Sequence, residues 1–230
     1  MKIITGGCSF TYNQDSWAWQ IPNVINVARG GSGPVTSIRE ILITLSETKG
    51  SKICIFQVSN PCRQEILVTD ENKHLFDKHE PQPYDKNIGG TNYFHVRGFG
   101  GTTTVNNNYN RFVEPYIEAM SQEQKVVECY EMLTLLQLYC KVNNVPLLIF
   151  YGWLDKSHLQ GELISKVLKN MDWNDWWEQG NNTMSMWLNM QGFKDKKNIE
   201  MDQQAKLRPT TQAHKYFYNQ VIKPWIERHT

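Results

Sequence analysis

The run Ile53-Cys54-Ile55-Phe56-Gln57-Val58 is apolar on both faces of an extended chain. A strand of that composition belongs in the middle of a parallel sheet covered on both sides. Three further runs are strand-like: Lys2 to Thr5, Asn23-Val24-Ile25-Asn26-Val27, and Pro146 to Tyr151. Helical faces alternate with them. Val35, Ile38, Leu42 and Leu45 form one face, stopped by Lys49-Gly50. A long helix is expected from about Ser121 to Asn143, with a stripe of Val126, Cys129, Leu133, Leu136 and Cys140. A last helix carries Phe217, Val221 and Trp225, with Thr210 or Thr211 as its cap. Strands alternating with helices predict a three-layer α/β/α fold, and right-handed crossovers give its parallel sheet a flavodoxin-like winding.

The 230 residues suit one domain over 1–230. Two long segments interrupt the alternation, at about 64–117 and 154–200. The first is polar, with glycines at 89, 90, 98, 100 and 101 and asparagines at 106–108. Long insertions of this kind serve as lids, binding arms or surface contacts, including contacts between copies of the chain or with an assembly partner.

Net charge is +1, which gives no electrostatic case for nucleic acid or an anionic membrane. No run approaches the ~20 apolar residues of a membrane helix. The N-terminus lacks a basic segment followed by an apolar one, so a cytoplasmic location is expected. The five cysteines are Cys8, Cys54, Cys62, Cys129 and Cys140. Their odd number and apolar settings suit reduced core thiols. No Cys-x-x-Cys pair and no helical histidine pair is present, so neither metal nor cofactor is expected.

Gly7-Cys8-Ser9 follows the first strand and puts a serine hydroxyl at the carboxyl edge of the sheet, where open α/β sheets bind ligands. Ala28-Arg29-Gly30-Gly31-Ser32-Gly33 and Gln57-Val58-Ser59-Asn60 reach the same edge. The three pieces suit a serine nucleophile with two oxyanion donors. Each has a plainer alternative: Ser9 as a turn residue, Gly31 as a tight-turn glycine, Asn60 as half of an Asn-Pro turn.

These blocks resemble the SGNH hydrolase family, also called GDSL-type esterases. Gly7-Cys8-Ser9-Phe10-Thr11 is similar to its nucleophile block, with Ser9 as nucleophile. Asn26-Val27-Ala28-Arg29-Gly30-Gly31-Ser32 is similar to its glycine block, with Gly31 donating to the oxyanion. Ser59-Asn60-Pro61 places Asn60 where the family has its asparagine donor. Near the C-terminus, Pro209-Thr210-Thr211-Gln212-Ala213-His214 resembles the segment that follows the family's Asp-x-x-His block. Arg208 stands where that block has its histidine, and Ala205 where it has aspartate. Arginine cannot serve as a base, because its guanidinium has no lone pair to accept a proton.

The resemblance implies an esterase acting on a small ester, such as an O-acetyl group on a glycan, through an acyl-enzyme on Ser9. His214 is the surviving candidate base, and its alternative is a buried histidine bonded to the backbone. His74, His79 and His95 lie in the first insertion with no spacing that marks one. Asp202 is the nearest acid upstream of Arg208. Arg208 is either a surface residue or a bidentate site for carboxylate, phosphate or sulfate. Trp173, Trp176, Trp177 and Trp187 are four of eight tryptophans. Trp173 and Trp177 are candidates for stacking on sugar rings, with packing or partner contact as the alternative. The competing function is a catalytically weakened relative that binds glycan or serves as a structural or assembly component, such as one of a virion.

Overall fold

The computed structural model describes residues 1–30, 32–61, 64–68, 92–96, 121–153, 159–193 and 209–230. Four strands form an all-parallel sheet: β1 (Lys2–Gly6), β2 (Ile25–Asn26), β3 (Lys52–Val58) and β6 (Leu147–Tyr151), in the order β2-β1-β3-β6. The order reverses direction between β1 and β3, as in a flavodoxin-like winding. The register pairs Gly6 with Phe56 and Val58 with Tyr151. Strand β2 is shorter than its apolar run predicts. Asn23 turns left-handed at φ 56°, and only Ile25 and Asn26 pair with β1.

Side chains alternate across the strands and feed two apolar cores. Ile4, Cys54, Phe56, Val58, Leu147, Ile149 and Tyr151 point to one face. There they meet α2 (Pro34–Glu47), α3 (Gln122–Val142) and α4 (Glu162–Leu168). Helix α2 begins with Pro34 directly after its Gly33 cap, where a missing N–H costs nothing. Ile55, Leu148 and Phe150 point to the other face. They meet Trp17, Ala18 and Ile21, together with α5 (Met184–Met190) and α6 (Thr211–Phe217). The sheet thus lies between two helical layers.

The C-terminal helix is one run in the sequence and three pieces in the structure. Thr210 caps α6 by accepting from the Ala213 N–H at 3.2 Å. A wide π turn spans Tyr218–Ile222 before the last helix, α7 (Lys223–His229). Pro224 near the start of α7 has no N–H to continue a regular ladder.

Of the first insertion, only an antiparallel hairpin is described, β4 (Gln64–Val68) paired with β5 (Asn92–Val96). The second insertion does structural work at the sheet edge. Trp176 bridges Ile149 and Thr183 bridges Tyr151, both in parallel sense. Between them the chain loops out through Glu178 and Gln179, both left-handed. This broken segment sits where a fifth strand would pair and covers the open edge of β6. Among the described residues, no helix is long and apolar enough to cross a membrane.

Candidate functional site

The turns after β1, β2 and β3 meet at the carboxyl edge. Gly7 has φ +146°, and a Cβ there would lie 2.8 Å from the Gln57 carbonyl oxygen. Only glycine fits a backbone that is both strained and this close to its neighbour. The Gly7 carbonyl accepts from the Arg29 N–H at 3.2 Å. The Ser32 and Ser37 hydroxyls lie 3.0 and 3.3 Å from the same oxygen and 2.7 Å from each other. The Ser59 hydroxyl donates to the Ser32 carbonyl at 3.2 Å. These bonds tie all three turns together. The Arg29 guanidinium also pairs with buried Glu40 at 3.2 Å, anchoring the second turn to α2.

Gln57 braces the first turn from below. Its Oε1 accepts from the Cys8 N–H at 3.3 Å, the Cys8 thiol at 3.2 Å and the Thr11 hydroxyl at 3.2 Å. Its Nε2 donates to the Val58 carbonyl at 2.6 Å. A fully buried amide survives in the core only when satisfied in this way. The sequence singles out Ser59 and Asn60 of this segment but assigns Gln57, Ser32 and Ser37 no role. A glutamine inside an otherwise apolar central strand is the signal that marks the brace.

Ser9 follows Cys8 and opens the four-residue helix α1 (Ser9–Tyr12). The residue is half-buried, and its hydroxyl makes no hydrogen bond among the described residues. Asn60 follows β3, half-buried, ahead of buried Pro61. Gly31 lies outside the described residues, though its neighbours Gly30 and Ser32 belong to the braced second turn. Arg208, Ala205, Asp202, His74 and His79 also lie outside them, and His95 falls within β5.

His214 sits on α6 with 5% of its surface exposed. Its Nδ1 accepts from the Trp17 N–H at 3.4 Å, and its ring meets Phe10 edge-on at 6.3 Å. Burial lowers its pKa to about 4, so the ring is neutral near pH 7. With Nδ1 accepting, the ring proton resides on Nε2. This is the backbone-bonded arrangement, with Nε2 in the donor form. A base that takes a serine proton through Nε2 has the opposite tautomer.

Trp173 and Trp177 join different cores on opposite faces of the sheet. Trp173 packs on Trp176 at 5.1 Å, and Gly180, at φ +71°, leaves room for its ring. Trp177 packs edge-on against Phe217 at 5.3 Å and Trp187 at 5.9 Å. Both rings are engaged in packing, and the sheet between them prevents a shared stacking platform.

Cys8, Cys54, Cys129 and Cys140 are free and buried. A hydrogen bond from Cys140, added to burial, pushes the Cys54 thiol up. Among the described residues, no group of three or more histidines, cysteines or carboxylates could hold a metal ion. Comparison of the chain with protein-family models, curated proteins and solved structures yields no match in any of the three.

Proposed function

We propose that this chain is an SGNH-like serine esterase acting on a small ester, such as an O-acetyl group on a glycan. The observation that supports it best is the Ser9 turn. The Gly7 carbonyl and the Cys8 N–H are both held by buried partners, while the Ser9 hydroxyl has none among the described residues. A peptide unit fixed this firmly just ahead of a disengaged hydroxyl suits a preorganised nucleophile. In this reading the Ser9 oxygen attacks the acyl carbon. The amides of Ser9 and Gly31 and the Asn60 carboxamide hold the oxyanion. The alcohol leaves with a proton, and water then cleaves the acyl-enzyme. For His214 to be the base, its ring proton must move to Nδ1, releasing the long 3.4 Å bond from Trp17.

That same bond favours a second reading, in which the pocket binds an ester or glycan without cutting it, as a structural or assembly component would. A fluorophosphonate probe separates the two. Labelling of the wild type that Ser9→Ala abolishes, with 4-nitrophenyl acetate cleavage above the Ser9→Ala control, is the expected result. Absence of both rejects the esterase and leaves the binding role.

A further inference from the structure

Trp19 differs from every other tryptophan of the chain. Of the eight, seven are buried or half-buried, and Trp19 alone is exposed, at 47%. The two residues before it, Trp17 and Ala18, are fully buried. An exposed indole is ordinarily free to turn. This one is pinned, because its Nε1–H donates to the Tyr12 carbonyl at 2.9 Å. Tyr12 is exposed as well, at 39%, and is the last residue of α1, the helix that Ser9 opens.

Residues three apart on a helix share a face, with Cβ atoms about 5–6 Å apart, so Tyr12 stands beside Ser9. Its ring also lies against the second turn, where a Cβ on Gly30 would be 3.5 Å from the Tyr12 Cδ1. Helical carbonyls point toward the C-terminal end, so the indole bonded to the Tyr12 carbonyl lies at the end of α1 away from Ser9. Ser9, Tyr12 and Trp19 thus follow one another in that order. Capping does not account for the ring. The neighbouring Thr11 carbonyl is satisfied by small donors, the Ser16 hydroxyl at 2.7 Å and the Asn26 amide at 2.8 Å. The Tyr12 carbonyl needs no more than that, yet it holds an exposed indole.

Single apolar residues scattered over a surface need no explanation, whereas two large rings tied together beside a candidate site do. Rings held in advance also lose little freedom when a ligand covers them. The exposed residues that follow Tyr12, namely Asn13, Gln14 and Asp15, are all polar. Open aromatic faces edged by amides and a carboxylate suit a ligand with one apolar face and a rim of hydroxyls. A sugar ring has that form: its C–H face meets the negative face of the aromatic ring, and its hydroxyls meet amides and water. An acyl chain would call for an enclosed apolar groove instead. We propose that Tyr12 and Trp19 are a sugar-stacking subsite beside Ser9, and that the substrate is an O-acylated oligosaccharide. The inference rests on the serine-esterase reading and narrows its substrate class. The ester lies at Ser9, the sugar that carries it over Tyr12, and the next sugar over Trp19.

The test uses the full chain and separates the ring from the donor. Trp19→Phe keeps a ring and loses the N–H, while Trp19→Gln keeps a donor and loses the ring. In a Ser9→Ala background, where no ester is cut, the probes are xylohexaose, cellohexaose and chitohexaose in calorimetric titrations. At least one binds, and its affinity falls about tenfold or more with Trp19→Gln or Tyr12→Ala and much less with Trp19→Phe. In turnover, the preference for the O-acetylated form of that oligosaccharide over 4-nitrophenyl acetate falls by a similar factor in Trp19→Gln, chiefly through KM. The inference is overturned if none of the three binds, if Trp19→Gln leaves binding unchanged, or if Trp19→Phe loses as much as Trp19→Gln. It is also overturned if Trp19→Gln lowers the sedimentation coefficient and oligosaccharide has no effect, which assigns the rings to a protein interface. Should Trp19→Gln fail to fold, Tyr12→Ala and Trp19→Phe decide. If no ester is cleaved but oligosaccharide binding depends on Trp19, the esterase reading falls and the stacking subsite stands. Ester cleavage with preference and binding unaltered by Trp19→Gln gives the converse.

Discussion

The turn that carries Ser9 and the pocket that holds His214 are built on opposite principles. Around Ser9 the contacts are polar: one buried amide, two serine hydroxyls and a row of backbone groups, each satisfied by another. Around His214 they are apolar, with Phe10 against the ring and, among the described residues, a single long side-chain bond to backbone. Directional bonds fix where a backbone goes. An apolar enclosure fixes instead the charge of whatever it encloses, because it offers an imidazolium no compensation. The chain therefore fixes the Ser9 turn with high definition and keeps the His214 imidazole neutral, with its ring proton at Nε2.

The largest effect is expected where the polar design is cut. Gln57→Leu leaves the Cys8 N–H and the Thr11 hydroxyl without their buried acceptor. The loss is about 2–6 kcal/mol of stability at ~1–3 kcal/mol per stranded group. Urea denaturation measures it, and a loss below about 1 kcal/mol would mean that the contacts to the Gly7 carbonyl hold the turn alone.

The apolar pocket gives the next effect, through pH. The His214 pKa is about 4 folded, against 6.5 as its ordinary value. A histidine depressed on folding contributes stability that is present in full above pH ~6.5 and lost as pH falls through ~4, about 3 kcal/mol in all. His214→Phe should flatten that part of the urea-midpoint profile relative to wild type. An unaltered slope between pH 7 and 4 would show that the ring is not held neutral. The smallest effect sharpens the link between turns. Ser59→Ala removes one bond to the Ser32 carbonyl and should cost about 1 kcal/mol. It should also lower Ser9 labelling by the fluorophosphonate probe, if the probe labels at all.

Much of the architecture was legible in the residues. The apolar run 53–58 is the central strand, the stripe of Cys129, Leu133, Leu136 and Cys140 faces the sheet, and Thr210 is the cap of α6. These features are local, and period and capping report them directly. The edge segment was not legible. Trp176 and Thr183 are seven residues apart yet bridge strand positions only two apart, a spacing that no periodicity announces. The tryptophans likewise form one cluster in the sequence and divide between two cores in the structure. Adjacent residues on an extended chain point to opposite faces, so proximity along the chain separated Trp176 from Trp177.

The sequence by itself determined the layers, the strand-helix alternation and a serine at the carboxyl end of the first strand, since hydrophobic period and small-residue turns are written locally. Only the tertiary structure decided which polar groups meet there. That Gln57 braces the turn and that His214 spends its Nδ1 lone pair on Trp17 both depend on chain segments far apart in sequence. Buried polar groups take their chemistry from the partners that packing brings to them, and those partners are set by the fold as a whole.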